Sequence, residues 1–140
     1  MKTINTAKAT ANGRAGHVKT DDGKIDMDLS VPKSMGGEGG NGVNPEQFFA
    51  SAYSACYGSA LQACAEKMKV DLGDFSVTAT IKLGKDEEGE LNLSAILDSY
   101  LPGVDVETGE ELVNQAHEMC PFSRATRDNI DVTLNLMLDE

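Results

Sequence analysis

The stretch Asn44-Pro45-Glu46-Gln47-Phe48-Phe49-Ala50-Ser51-Ala52-Tyr53-Ser54-Ala55-Cys56-Tyr57-Gly58-Ser59-Ala60-Leu61-Gln62-Ala63-Cys64-Ala65 decides how this chain folds. Asn44 suits a helix N-cap, Pro45 the first helical position, and Gln47 the reciprocal place in a capping box. No decisive breaker follows before about Lys69. Between Phe48 and Ala65 the only non-apolar residues are Ser51, Ser54, Gly58, Ser59 and Gln62, and none is charged. A helix without a charged face is predicted to be buried all round. Its many small residues permit another backbone to approach closely. In a chain of 140 residues, a partner subunit is expected to supply part of that cover.

Flanking segments supply strands. Ile25, Met27, Leu29 and Val31 alternate with Lys24, Asp26, Asp28 and Ser30, the period of a half-buried strand. Asp22-Gly23 before it reads as a hairpin turn. Thr3–Thr10 and Ala15–Lys19 carry poorer strand patterns. Ser34–Val43 holds Gly36, Gly37, Gly39, Gly40 and Gly42. A phosphate cradle would need a closing Gly-Lys-Ser/Thr, which is missing, so a flexible loop at a site entrance is expected. Phe75–Leu83 and Leu91–Tyr100 alternate as a strand pair about the turn Gly84–Glu90. Asp105–Met119 is predicted as a second helix with the stripe Leu112, Val113, Ala116 and Met119; Thr108 with Glu111 could cap a shorter version. Pro121 should stop it at Cys120. Ile130–Leu138 makes a last strand. The order predicts an α+β fold with a largely antiparallel sheet and helices packed on it, as a single domain over residues 1–140 with no dividing linker.

The formal net charge of −11 sets the surface against polyanions, so neither nucleic acid nor an anionic membrane is an expected partner. The N-terminus has no apolar run of a signal peptide, and no stretch approaches the ~18–20 apolar residues of a span. The expected location is the cytoplasm. There, three cysteines are not a disulfide framework but packing residues, metal ligands or redox groups. A metal site has little support, because no Cys-x-x-Cys or His-rich spacing is present.

Cys56 and Cys64 lie 8 residues apart on one predicted helix, roughly 12 Å of rise. A disulfide needs Cα atoms within ~7 Å, so Cys64 reads as packing. Cys120 follows a helix C-terminus, whose partial negative charge disfavours a thiolate. Cys56 in mid-helix gains little from the dipole and needs a cation. Arg14, Arg124, Arg127, His17 and His117 are the candidates. On these residues alone, packing and redox chemistry both stay open.

Two motifs then carry a resemblance. Asn44-Pro45-Glu46-Gln47-Phe48-Phe49-Ala50 with Ala52-Tyr53-Ser54-Ala55-Cys56 resembles the first cysteine motif of the organic hydroperoxide resistance proteins. These share a wider family with the osmotically inducible protein C (OsmC). Ala116-His117-Glu118-Met119-Cys120-Pro121-Phe122-Ser123, continuing through Val132, resembles the second. Gly13-Arg14, the Pro32–Gly42 loop and Leu101-Pro102-Gly103 also match, so the resemblance covers nearly the whole chain.

The resemblance implies an OsmC-like, intertwined homodimer with two mainly antiparallel sheets around two central helices. It implies a peroxidatic Cys56, a resolving Cys120, and an Arg14 and Glu46 that hold and activate the site. It implies organic hydroperoxides as substrates and dihydrolipoyl groups on partner proteins as reductant, with no bound cofactor. Arg14 beside Cys56 would lower the thiol's pKa. Phe48, Phe49, Tyr53, Tyr57 and Phe122 are candidate lining residues for an alkyl peroxide. Glu46 precedes Cys56 by 10 residues, roughly 15 Å of helix, so both cannot touch one arginine from a single straight helix. Either Glu46 lies on loop-like backbone folded back, or it arrives from the partner's antiparallel helix, and the second is the favoured expectation. Arg127 and Asp131 are expected to pair structurally, and His117 to be a satisfied polar residue. The rival readings are a non-catalytic stress or binding protein, a cysteine hydrolase using His117 as base, and a redox-sensing regulator.

Overall fold

Two residues near position 45, Asn44 and Gln47, make the longest element start where it does. In the computed structural model, which describes residues 1–139, Asn44 Oδ1 accepts from the Gln47 amide and Gln47 Oε1 accepts from the Asn44 amide, each at 2.9 Å. This reciprocal box satisfies two donors that the first helical turn otherwise leaves bare. The helix α1 then runs unbroken over Pro45–Met68. The chain divides into two compact units, Met1–Phe48 and Phe49–Glu140, and α1 begins in the first and continues through the second.

In the first unit, β1 (Ala9–Ala11), β2 (His17–Thr20) and β3 (Asp26–Asp28) form an antiparallel meander in that order. The Asp22-Gly23 turn joins β2 to β3. Gly23 takes a φ of +75°, and Asp22 Oδ1 accepts from Thr20 Oγ1 and the Lys24 amide. The half-buried strand expected over Lys24–Val31 is reduced to Asp26–Asp28, with Ile25 37% and Met27 43% exposed. Leu29 is buried and forms a parallel bridge with Val43.

The glycine-rich loop is a tied one rather than the flexible entrance expected. It carries a short 3-10 helix at Lys33–Met35. The Gly39 amide donates to the Val31 carbonyl at 2.9 Å, and the Ser30 amide donates to the Val43 carbonyl at 3.1 Å. A Cβ on Gly37 would stand 2.2 Å from the Val31 carbonyl oxygen, and one on Gly42 2.5 Å from Leu29. The glycines serve the close return of the chain onto Leu29–Val31.

In the second unit, β4 (Ser76–Lys85) and β5 (Leu91–Tyr100) pair antiparallel, and β6 (Asp131–Met137) joins β5 in parallel. Half of this sheet's pairing therefore departs from the antiparallel expectation. A parallel neighbour needs a crossover, and α2 (Val106–Met119) with α3 (Pro121–Thr126) supplies it. Asp105 caps α2 by accepting from the Thr108 amide at 2.8 Å, so the helix starts ahead of the shorter version. Inward residues of the strands, Val77, Ala79, Ile81, Ala95, Leu97, Val132, Leu134 and Leu136, meet Tyr53, Tyr57, Leu61, Leu112 and Ala116 of the helices. Each fully buried Leu contributes on the order of 1.5–3 kcal/mol of apolar burial. α1 is not buried all round: Ser51, Ala55, Ser59 and Gln62 are exposed along one face.

Candidate active site

Cys56 lies mid-helix on α1, and Cys120 lies at the joint between α2 and α3. Cys120 takes φ −62° and ψ 123°, the extended geometry that Pro121 demands of it. It caps α2 at its C-terminus and stands as N-cap residue of α3. The joint delivers its sulfur, fully buried, to 3.4 Å from Cys56 Sγ. Both are free thiols. Cys64, also free and buried, instead puts its sulfur 3.8 Å from Met119 Sδ.

Burial is the main reason the Cys56 thiol is pushed above its ordinary pKa, and the adjoining Cys120 adds to it. The backbone amide of Phe122 opposes this by donating to the Cys56 sulfur. That donor belongs to the first turn of α3, whose amides have no partners within the helix. In the sequence Pro121 reads as a stop for α2, and a stop alone predicts no α3 behind it. Pro at a first helical position is also a start signal, and it was the available clue.

Phe49, Tyr53 and Phe122 make an aromatic trio, with ring centroids 5.9, 6.3 and 6.0 Å apart. Phe122 is 37% exposed, and Phe49 is half-buried. Tyr53 and Tyr57 have no exposed surface, so the structure gives neither a face toward a ligand. The Tyr53 hydroxyl lies 2.8 Å from Ser123 Oγ and 2.9 Å from Thr126 Oγ1. The Tyr57 hydroxyl donates to the Val113 carbonyl at 2.7 Å. Phe48 is half-buried at the end of the first unit.

Arg14 and Glu46 meet within the first unit. Gly13, at φ +105°, opens the β1–β2 turn that carries Arg14, and Glu46 stands in the first turn of α1. The guanidinium binds the carboxylate at two points, 2.9 and 2.8 Å. Hydrogen bonding from Arg14 holds the Glu46 carboxyl below its usual range, against a smaller burial effect. Arg14 and Glu46 thus pair inside one chain. The first turn of a helix reaches the β1–β2 turn directly, so no second subunit is required for it.

The other candidate residues have partners of their own or none. His117 Nδ1 is buried with no hydrogen-bond partner, which corrects its reading as a satisfied residue. Burial, then the charge of Arg127, lowers its pKa. Arg127 Nη1 donates to the His117 carbonyl at 2.7 Å rather than pairing with Asp131. Both nitrogens of His17 bond carboxylates of β3, Asp28 and Asp26. A cavity of about 880 Å³ is lined by Lys82, Lys85, His117, Arg127 and Asp131 among others, but by neither Cys56 nor Cys120. Among the described residues, no cluster of three or more His, Cys, Asp or Glu is gathered for a metal ion, and no helix is long and apolar enough to cross a membrane.

Comparison with known proteins agrees with this architecture. A family model described as OsmC-like protein matches residues 37–135. The organic hydroperoxide resistance protein OhrB of Bacillus subtilis is 44% identical over 133 residues, covering 94% of this chain and 96% of that protein. The organic hydroperoxide resistance protein of Xanthomonas axonopodis pv. citri is 42% identical over 137 residues, 96% of each. The crystal structure of an organic hydroperoxide resistance protein from Elizabethkingia anophelis superposes with a TM-score of 0.93 at 41% identity, covering 99% of this chain and 100% of that one.

Proposed function

The chain belongs to the OsmC-like protein family, and from that premise we propose that it is a thiol-dependent peroxidase of organic hydroperoxides. The observation that carries this reading is the 3.4 Å approach of Cys56 Sγ to Cys120 Sγ, from positions 64 residues apart. The names of its relatives, which specify resistance to organic hydroperoxides, supply the substrate class.

The Cys56 thiolate attacks one oxygen of the peroxide bond. The O–O bond breaks, Cys56 becomes a sulfenic acid, and the other oxygen leaves as an alkoxide that takes a proton to give the alcohol. The Cys120 thiol then attacks the Cys56 sulfur, water leaves, and a disulfide forms. A disulfide spans ~2.05 Å between sulfurs, so the pair has only a short distance to close. A dithiol, for which dihydrolipoyl groups on a partner protein are the proposed source, reopens the bridge by exchange. Arg14, oriented by the bidentate Glu46, is assigned the cation that offsets the burial holding Cys56 protonated. Phe49 and Phe122 offer apolar surface for an alkyl chain, with Phe48 at its border. The working form is proposed to be a homodimer in the cytoplasm, with no cofactor.

Replacement of Cys56 by Ser tests the reading. Turnover of cumene hydroperoxide with dihydrolipoamide should vanish, and Cys120→Ser should consume one equivalent without forming a disulfide. Mass spectrometry of the wild type after one equivalent should find Cys56 joined to Cys120 and Cys64 free. Retained turnover in Cys56→Ser would leave the cysteines as packing residues and the protein as a non-catalytic stress or binding protein.

A further inference from the structure

Beside the two thiols lies a closed set of buried hydroxyls that the peroxidase chemistry does not use. Tyr53, Ser123 and Thr126 are 0%, 0% and 6% exposed. Thr126 Oγ1 donates to the Ser123 carbonyl at 3.2 Å. A hydroxyl has one proton to give, so Thr126 accepts from Tyr53 at 2.9 Å. Tyr53 has then spent its own proton and accepts from Ser123 Oγ at 2.8 Å. With the Thr126 bond as its anchor, the set runs from Ser123 to Tyr53 to Thr126 to the Ser123 carbonyl. Every proton in this small set has a destination.

Its placement is the informative part. Tyr53 stands three residues before Cys56 on α1, and Ser123 three residues after Cys120 on α3. Residues three apart on a helix share a face. The hydroxyl set and the sulfur pair are therefore neighbouring rungs of one contact between α1 and α3. α3 has six residues, too few to hold a helix without outside contacts. It is tied at its far end by Arg127 to the His117 carbonyl. Nearer the thiols, its polar ties to α1 are the Phe122 amide at Cys56 and the Tyr53 hydroxyl.

We propose that Tyr53 is a positioning residue for the resolving step: its hydroxyl, with Ser123 and Thr126, locks α3 against α1 so that Cys120 Sγ and the Phe122 amide face Cys56. The inference goes one step beyond the peroxidase reading and rests on it for the reaction, but the lock itself concerns only the two thiols. It reassigns Tyr53 from substrate contact to geometry. A loosened α3 lowers the effective concentration of Cys120 at the Cys56 sulfur, and the waiting sulfenic acid meets a second peroxide before it meets its thiol.

Tyr53→Phe removes the hydroxyl and keeps the ring against Phe49 and Phe122. The first readout is the dithiol–disulfide equilibrium of Cys56 and Cys120 in a dithiothreitol redox buffer, followed by mass spectrometry. Loss of one buried hydrogen-bond anchor should shift that constant toward the dithiol by about tenfold. The second readout is single turnover with cumene hydroperoxide. The first equivalent should be consumed within about threefold of the wild-type rate, disulfide closure should slow by about tenfold, and Cys56 sulfinic acid should accumulate at lower peroxide. Ser123→Ala and Thr126→Val each cut one edge of the set and should move both readouts the same way, which keeps the test open if Tyr53→Phe folds poorly. A purely structural hydroxyl would lower the melting temperature and leave the equilibrium constant unchanged. Wild-type equilibrium and closure rate in all folded variants would overturn the lock. If the wild type fails to consume the hydroperoxide, the peroxidase reading falls, while the redox-buffer equilibrium still decides the lock.

Discussion

Cys56 is held back by its immediate surroundings. Burial raises its pKa, Cys120 raises it further, and the Phe122 amide alone among the causes pulls it down. The sign of the consequence is definite. Alkylation of Cys56 by iodoacetamide should accelerate as pH climbs through the thiol's pKa. Cys120→Ala should move that midpoint to lower pH, because it removes a raising cause. Arg14→Gln should move it to higher pH if the arginine plays its proposed part. Peptide mass spectrometry across a pH series reads all three. His17 offers a second titration. Hydrogen bonding to Asp28, then to Asp26, raises its pKa. Its folded-state value lies above the ordinary value of about 6.5, so its contribution to stability is full below that value and is lost as pH rises through the folded one. NMR titration should find the raised pKa, and Asp28→Asn should lower it. Little at this scale was legible in the sequence alone. Cys56 and Cys120 are 64 residues apart and Arg14 and Glu46 are 32 apart, and no local pattern announces such meetings. Resemblance named these residues, whereas the hydroxyl set around Tyr53 had no motif to betray it.

The elements were legible in proportion to how much local chemistry defines them. The start of α1 followed from Asn44, Pro45 and Gln47, and the side chains of Asn44 and Gln47 close the capping box that the sequence asked for. Asn44→Ala should cost about 1 kcal/mol, read as a lower urea midpoint with unchanged slope. Glu46 in the same turn should show its ion pair through pH. Its carboxyl pKa is depressed by Arg14, so the pair's stabilisation is present above the ordinary carboxyl pKa and is lost as pH falls through the folded value. The melting temperatures of wild type and Glu46→Gln should differ at pH 7 and converge in acid. α3 escaped because a single turn and a half carries no hydrophobic period. The direction of β6 escaped because alternation reports burial and not polarity. β5 and β6 are nonetheless joined by a helix, which permits the parallel pairing where a tight turn would forbid it.

At the scale of the molecule, the uncharged helix makes a demand that one chain does not meet. The sequence from Phe48 to Ala65 has no charge, yet Ser51, Ala55, Ser59 and Gln62 face outward along α1. Successive spacings of four and three residues place them on one side of the helix. Small side chains there let a second helix approach closely, which is what the proposed homodimer requires. Sedimentation velocity should therefore find a particle of twice the chain's mass. Ser59→Glu puts a carboxylate into the contact, where its desolvation is uncompensated, and should shift the population to single chains while leaving far-UV circular dichroism unchanged. Charge adds a second signature. Each chain carries a formal −11, so association brings like charges together, and added salt screens them. The wild-type dimer should then tighten between low and physiological ionic strength. A wild type that sediments as single chains at every salt concentration would separate the exposed face of α1 from dimerisation altogether.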